Sequence, residues 1–246
     1  VHGGQPLPVQ PHSVAYDLSR GRLIFHSASY EALLSYDPSD GTVEVFAEPT
    51  DELAWDISDL HYRSSPPGLF AIDDQLNCVL SFDLSSGEAA VVSGLGVGDG
   101  PSLQSLRGIT AVQGSPNNAP FIAVIDSSFG SEGVPAIVAI SPVSGDRSAL
   151  SANAPDDLGL STGDGPEFGA PTGILYQHSQ ARFLVTDSGE RALFSIGRDT
   201  GDRTLLITNE DSSDGSFLGF PTELLLSSNG GTAWILDPAA KKVFEV

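Results

Sequence analysis

Residues 163–176, GDGPEFGAPTGILY, repeat the form of residues 98–111, GDGPSLQSLRGITA. Each runs Gly-Asp-Gly-Pro, then an apolar residue (Leu103, Phe168), then Gly-Ile at 108–109 and 173–174. A chain that writes one phrase twice, 65 residues apart, is read first for internal repeats, because a repeat fixes architecture more tightly than any local propensity. Further versions are DGSFLGFPTELLL (214–226), GGQPLPVQPHSVAY (3–16) and a poorer one, ELAWDISDLHY (52–62). Aligned on the apolar run, units start near Ser13, Asp59, Gly108, Gly173 and Glu223, at spacings of 46, 49, 65 and 50 residues.

The stretch after each start also recurs. RGRLIFHSASYEALLSYDPSDGTVEVF (20–46) pairs with PPGLFAIDDQLNCVLSFDLSSGEAAVV (66–92) and QARFLVTDSGERALFSIGRDTGDRTLLI (180–207). Residues 118–150 are a stretched copy, and GGTAWILDPAAKKVFEV (230–246) is a copy that stops after its third apolar run. The runs are short, rich in Val, Ile, Leu, Phe and Tyr, and bounded by Gly, Ser, Asp, Asn and Pro, the pattern of strands joined by hairpins. No window carries helical apolar periodicity with caps. DPSDG, DLSSG, SPVSG and GRDTG place Gly41, Gly87, Gly145 and Gly201 at one repeat position, where a left-handed turn residue is expected.

Four short antiparallel strands in a unit of this length make the blade of a β-propeller. Such a blade needs a neighbour on each face, so apolar residues occur at both parities of its strands. The expected fold is all-β: a single propeller domain over residues 1–246 with five recognisable repeats, hence five- or six-bladed. Inner strands are expected near 13–17, 59–63, 108–112, 173–177 and 223–227. The absence of Met throughout, including position 1, points to a processed chain or a part of a longer one.

On GPEFGAPTGILY (165–176), FLVTDSGERALFSIGRDTGDRTLL (183–206) and the parallel stretches, the chain resembles NHL-repeat propellers and the wider gluconolactonase-like six-bladed group. The resemblance covers nearly the whole chain and is cleanest over 165–208. It implies a peptide-, protein- or RNA-binding platform, or, in other relatives, a metal-dependent lactonase or lyase. The gluconolactonase-like site needs a Glu near the first inner strand, where this chain has His12 and Ser13; Glu223 stands at the comparable place in the fifth unit.

Composition narrows the partners. Eleven Lys plus Arg against 32 Asp plus Glu give a net charge of −21, without the basic footprint a phosphate backbone needs, so nucleic acid is not an expected partner. No apolar run approaches the roughly 20 residues of a membrane helix. Few lysines, a single cysteine and abundant Asp, Ser and Gly favour a periplasmic, cell-surface or secreted location. Cys78 excludes an internal disulfide and reads as a small buried hydrophobe.

Three sets of residues carry candidate chemistry. The first rings one mouth of the expected channel: His12, Ser58, Arg107, Thr172 and Thr222, with Ser13, Asp59, Gly108, Gly173 and Glu223 next to them. His12, Ser58, Asp59, Arg107, Thr172, Thr222 and Glu223 are the expected ligand-binding residues, with Arg107 either an anchor for a carboxylate or a strut paired with Asp59. The second set, Asp73, Asp126, Asp187 and Asp237, with Ser27 in the first unit, ends the second strands. Carboxylates so placed either ligate a metal or, better, accept bonds from their own hairpins. The third set is the acidic loops 96–100, 154–165 and 209–216, where calcium is a conceivable ligand; no other cofactor is expected. No His pair has zinc-ligand spacing, and no G-x-S-x-G elbow occurs. The expected function is an extracytoplasmic, non-enzymatic module binding a protein or small molecule. The rival is a metal-dependent hydrolase or lyase at the channel mouth.

Overall fold

The computed structural model describes residues 11–51, 53–114, 119–153, 162–208, 218–227 and 230–246; the side chain of His12 is not among the groups described. The first blade holds β1 (Pro11–Asp17), β2 (Arg22–Ser27), β3 (Ala32–Tyr36) and β4 (Val43–Ala47). The second holds β5 (Ile57–Ser64), β6 (Pro67–Asp73), β7 (Cys78–Phe82) and β8 (Ala89–Ser93). The third holds β9 (Leu106–Val112), β10 (Phe121–Phe129), β11 (Val134–Ile140) and β12 (Arg147–Ala152). The fourth holds β13 (Pro171–Gln177), β14 (Arg182–Asp187), β15 (Ala192–Gly197) and β16 (Arg203–Ile207). The fifth has three strands, β17 (Glu223–Leu226), β18 (Ala233–Asp237) and β19 (Lys242–Glu245). Each sheet is an antiparallel meander in chain order, and the only helical element among the described residues is a 3-10 turn at His178–Gln180. The fold is a five-bladed β-propeller, and its inner strands fall within two residues of the starts read from the sequence.

The cores lie between blades, as a stack of two-faced sheets demands. Ala15, Ile24 and Leu33 of blade one pack on Leu60, Ala71, Cys78 and Leu80 of blade two. Phe70, Ile72 and Val79 leave the other face of blade two to meet Ile109, Ile122 and Val124. Ile125 and Ile137 meet Ile174, Phe183 and Phe194 at the next junction, and Leu184 and Leu193 meet Leu224 and Ile235 at the last. Each fully buried side chain of this size contributes about 1.5–3 kcal/mol. Burial pushes the Cys78 thiol up to about 12, the behaviour of a packing residue.

Inner strands pack on each other at four junctions, β1 on β5, β5 on β9, β9 on β13 and β13 on β17; β17 and β1 share no comparable contact. Among the described residues the seam between blades five and one is open. Val14, Tyr16 and Val45 are exposed on one side of it, and Leu225, Leu236 and Val243 on the other.

The twin GDGP phrases are the crossovers into blades three and four. In the fourth blade Arg203, 7 % exposed, donates from Nε to the Pro166 carbonyl (2.7 Å) and from Nη1 to Ser151 Oγ (2.8 Å) and the Ala152 carbonyl (2.9 Å). Arg147 repeats this in the third blade on Pro101 (2.9 Å), Ser93 Oγ (2.9 Å) and Val97 (2.9 Å). The backbone N–H of Asp164 donates to Asp202 and that of Asp99 to Asp146, both at 2.9 Å. Gly-Asp-Gly-Pro is thus half of a clasp whose other half is Gly-Asp-Arg at 145–147 and 201–203. Its second glycine is required: at Gly165, with φ +121°, a Cβ would lie 2.2 Å from the Arg203 carbonyl.

Candidate functional site

Four of the five inner strands open with an irregularity; β17 pairs with β18 in unbroken register. Ile57 pairs with Asp73 and Asp59 with Ile72, so Ser58 is an extra residue facing no partner. Arg107 and Thr172 occupy the same bulge in blades three and four. A bulge turns its own side chain off the ladder and re-aims the next residue. The side chains here bond to nearby carbonyls: Ser58 to that of Ile72 (3.3 Å), Thr172 to those of Thr186 in its own blade (3.3 Å) and Pro221 before the next (2.7 Å), and Thr222, just before β17, to that of Leu236 (3.3 Å). Arg107 is exposed, with Asp74 at 3.9 Å and Ser105 Oγ at 3.3 Å; its carboxylate partner is Asp74, and Asp59 is bonded elsewhere.

The residues after the bulges form a chain of contacts around the axis. The Oγ of Ser13 donates to Oδ1 of Asp59 (2.8 Å), and the Ile109 N–H donates to Oδ2 (3.0 Å). A Cβ on Gly108 would sit 3.0 Å from the Thr172 carbonyl, and one on Gly173 2.4 Å from that of Thr222, so both glycines permit close approach of adjacent inner strands. Glu223 ends the series, on the open side.

Asp59 and Glu223 project into one cavity of about 640 Å³ that runs along the axis and into the open seam. Burial pushes the Asp59 carboxyl up to about 6, against the pull of its three hydrogen bonds. Burial, and then the nearby Asp59 charge, push Glu223 up to about 8. Both carboxyl groups are thus harder to ionise than ordinary ones, Glu223 more so than Asp59. Toward the far end of the inner strands the wall is His61, Arg63, Ser64, Gln113 and His178. Burial and the neighbouring His178 drive His61 down to about 4, so its imidazole is neutral. Leu225, Trp234 and Leu236 of blade five supply an apolar side.

Of the seven residues singled out in the sequence, Asp59 and Glu223 line this cavity. Ser58, Thr172 and Thr222 bond to the carbonyls above, Arg107 is exposed beside Asp74, and the His12 side chain lies outside the described groups. His61, Arg63 and His178 were not singled out. The signal for the first two was parity: 59, 61 and 63 share a strand face.

The four repeated aspartates are fully buried and accept backbone N–H groups. Asp187 takes those of Gly169 (2.9 Å), Ala170 (2.8 Å), Gly189 (2.9 Å) and Glu190 (2.9 Å). Asp73, Asp126 and Asp237 likewise tie their crossover to their hairpin. Among the described residues no group of three or more His, Cys, Asp or Glu is arranged to hold a metal ion. Loop 209–216 and most of 154–165 lie outside the described residues.

No protein-family model matches the chain, and no curated protein does. Solved structures do. A chain of a nidogen/laminin complex superposes with a TM-score of 0.70 at 15 % identity, over 97 % of this chain and 76 % of that one. Virginiamycin B lyase from Staphylococcus aureus superposes with a TM-score of 0.60 at 15 % identity, over 97 % and 70 %. At this identity the likeness is one of fold: the chain has the β-propeller architecture.

Proposed function

We propose that this propeller is a non-enzymatic binding module of NHL-like type, working outside the cytoplasm, that seats its ligand in the axial cavity. The observation that carries the reading is the cavity itself. It pairs an apolar wall with two carboxyl groups that both resist ionisation, beneath a net charge of −21. A ligand with an apolar body and a cationic end satisfies both: its ammonium takes the place of a proton on the pair, and its body covers Leu225 and Leu236. The same acidity disfavours nucleic acid. The nidogen/laminin neighbour is a propeller taken from a protein complex, which fits a module of this kind.

Calorimetric titration with octylamine and with octanoate tests the reading. The amine is expected to bind more tightly than the carboxylate, and Glu223→Gln is expected to weaken the amine about ten-fold or more, the usual worth of one charge-assisted bond. Equal binding of amine and carboxylate, or of amine to both proteins, overturns it.

The second reading, a metal-dependent hydrolase or lyase, is favoured by one feature, a Glu223 carboxyl raised above its ordinary range and lining a cavity, as a general acid's is. Turnover of lactone substrates with added divalent metal, lost in Glu223→Gln, would decide for it.

A further inference from the structure

The cavity has a second charged end that the carboxyl pair leaves unexplained. Asp59, His61 and Arg63 alternate along β5, paired with Ile72, Phe70 and Gly68, and all three line the cavity. Four steps of extended strand set the backbones of Asp59 and Arg63 roughly 13 Å apart, at about 3.3 Å each, with both side chains on one face of β5. The Arg63 guanidinium is positioned from behind: Nε donates to the Pro66 carbonyl (3.1 Å), and its face lies 4.9 Å from the centre of the Phe70 ring. Its terminal nitrogens make no hydrogen bond and no ion pair among the described residues. Arg147 and Arg203 also lack a carboxylate but spend their terminal donors on carbonyls and hydroxyls, whereas those of Arg63 are left over for a ligand; burial already pulls Arg63 below its ordinary value. Around it stand Gln113, whose amide donates to Ser64 Oγ (2.7 Å), and the neutral His61.

We infer that the ligand of this cavity is an extended zwitterion, of the kind a short peptide or a long ω-amino acid presents, with its ammonium at Asp59 and Glu223 and its carboxylate on Arg63. The inference rests on the binding reading above and names the ligand class for it. A fork of free N–H donors is matched by a carboxylate, which it holds bidentately. Leu225, Trp234 and Leu236 flank the path between the ends, so the connecting segment is apolar. The distance selects for length: a zwitterion whose ends lie much closer than roughly 13 Å reaches one pole only.

Titration calorimetry on the intact protein with ω-aminoundecanoate, ω-aminohexanoate and octylamine tests this. The long zwitterion is expected to bind about ten-fold tighter than the short one and than the amine, and Arg63→Gln is expected to remove most of that advantage. The length comparison needs no variant, so it stands even if Arg63→Gln fails to fold. If the long zwitterion binds no tighter than the amine, or keeps its advantage in folded Arg63→Gln, the inference fails while the binding reading survives. If neither amine nor zwitterion binds, both fail.

Discussion

The Nε of Arg203 donates to the carbonyl of Pro166 across 37 residues of sequence, and that bond fastens the crossover into blade four onto the blade's own outer strand. The guanidinium is almost fully buried and spends its other donors on Ser151 and on the carbonyls of Ala152, Thr162 and Gly165. Arg203→Ala should therefore destabilise by about 3 kcal/mol or more, because it strands several buried carbonyls at once. Urea unfolding measures this; a loss below about 1 kcal/mol would mean the loop re-bonds without it.

The turn glycines separate two costs. Gly41 and Gly201 share a left-handed backbone, φ +76° and +71°, but a Cβ at Gly41 meets nothing within 4 Å, while one at Gly201 would lie 1.9 Å from the Leu150 carbonyl of the preceding blade. Gly41→Ala should cost about 1 kcal/mol, the backbone strain alone, and Gly201→Ala clearly more. Equal melting temperatures for the two variants would show that the blades do not meet at this turn.

These two pairs mark how far the sequence could be read. The repeat, the strands and the turn glycines were legible because each depends on local chemistry: period two, apolar faces, positive φ. The GDGP echo was visible as well, and Gly-Asp-Arg stood at the turn glycines, at 145–147 and 201–203. Their partnership was not, since nothing local links Arg203 to a loop 37 residues upstream. At the site, the bulge decided the outcome. Ser58, Arg107 and Thr172 are one residue from Asp59, Gly108 and Gly173, and one inserted residue is enough to take them out of the cavity wall. The repeated aspartates were legible in residue type and in the hairpin half of their role, but their hold on the crossovers was not.

The aspartate clamp gives a further test. Asp187 accepts four backbone N–H groups with no exposed surface. Asp187→Ala should cost about 3 kcal/mol or more by leaving those donors unpaired. A near-neutral effect in thermal unfolding would mean that water replaces the carboxylate.

The carboxyl pair sets a pH dependence of defined sign. Asp59 and Glu223 are raised above their unfolded values, to about 6 and about 8, burial being the first cause of each. The folded chain thus keeps protons that the unfolded chain releases, so the pair's contribution is full below about pH 4 and is lost as pH rises through both values. Glu223→Gln, which stays neutral, should melt a few degrees above the wild type at pH 9 and level with it at pH 4. A difference of the same size at both pH values would trace the effect to packing.

Proton release on binding reads the cavity most directly. If an ammonium takes the place of a proton on the pair Asp59 and Glu223, titration with octylamine at pH 7 must expel about one proton per ligand bound. Calorimetry in two buffers of different ionisation enthalpy counts that proton. The account predicts a value near one for the wild type and near zero for Glu223→Gln; binding with no proton released by the wild type would contradict it.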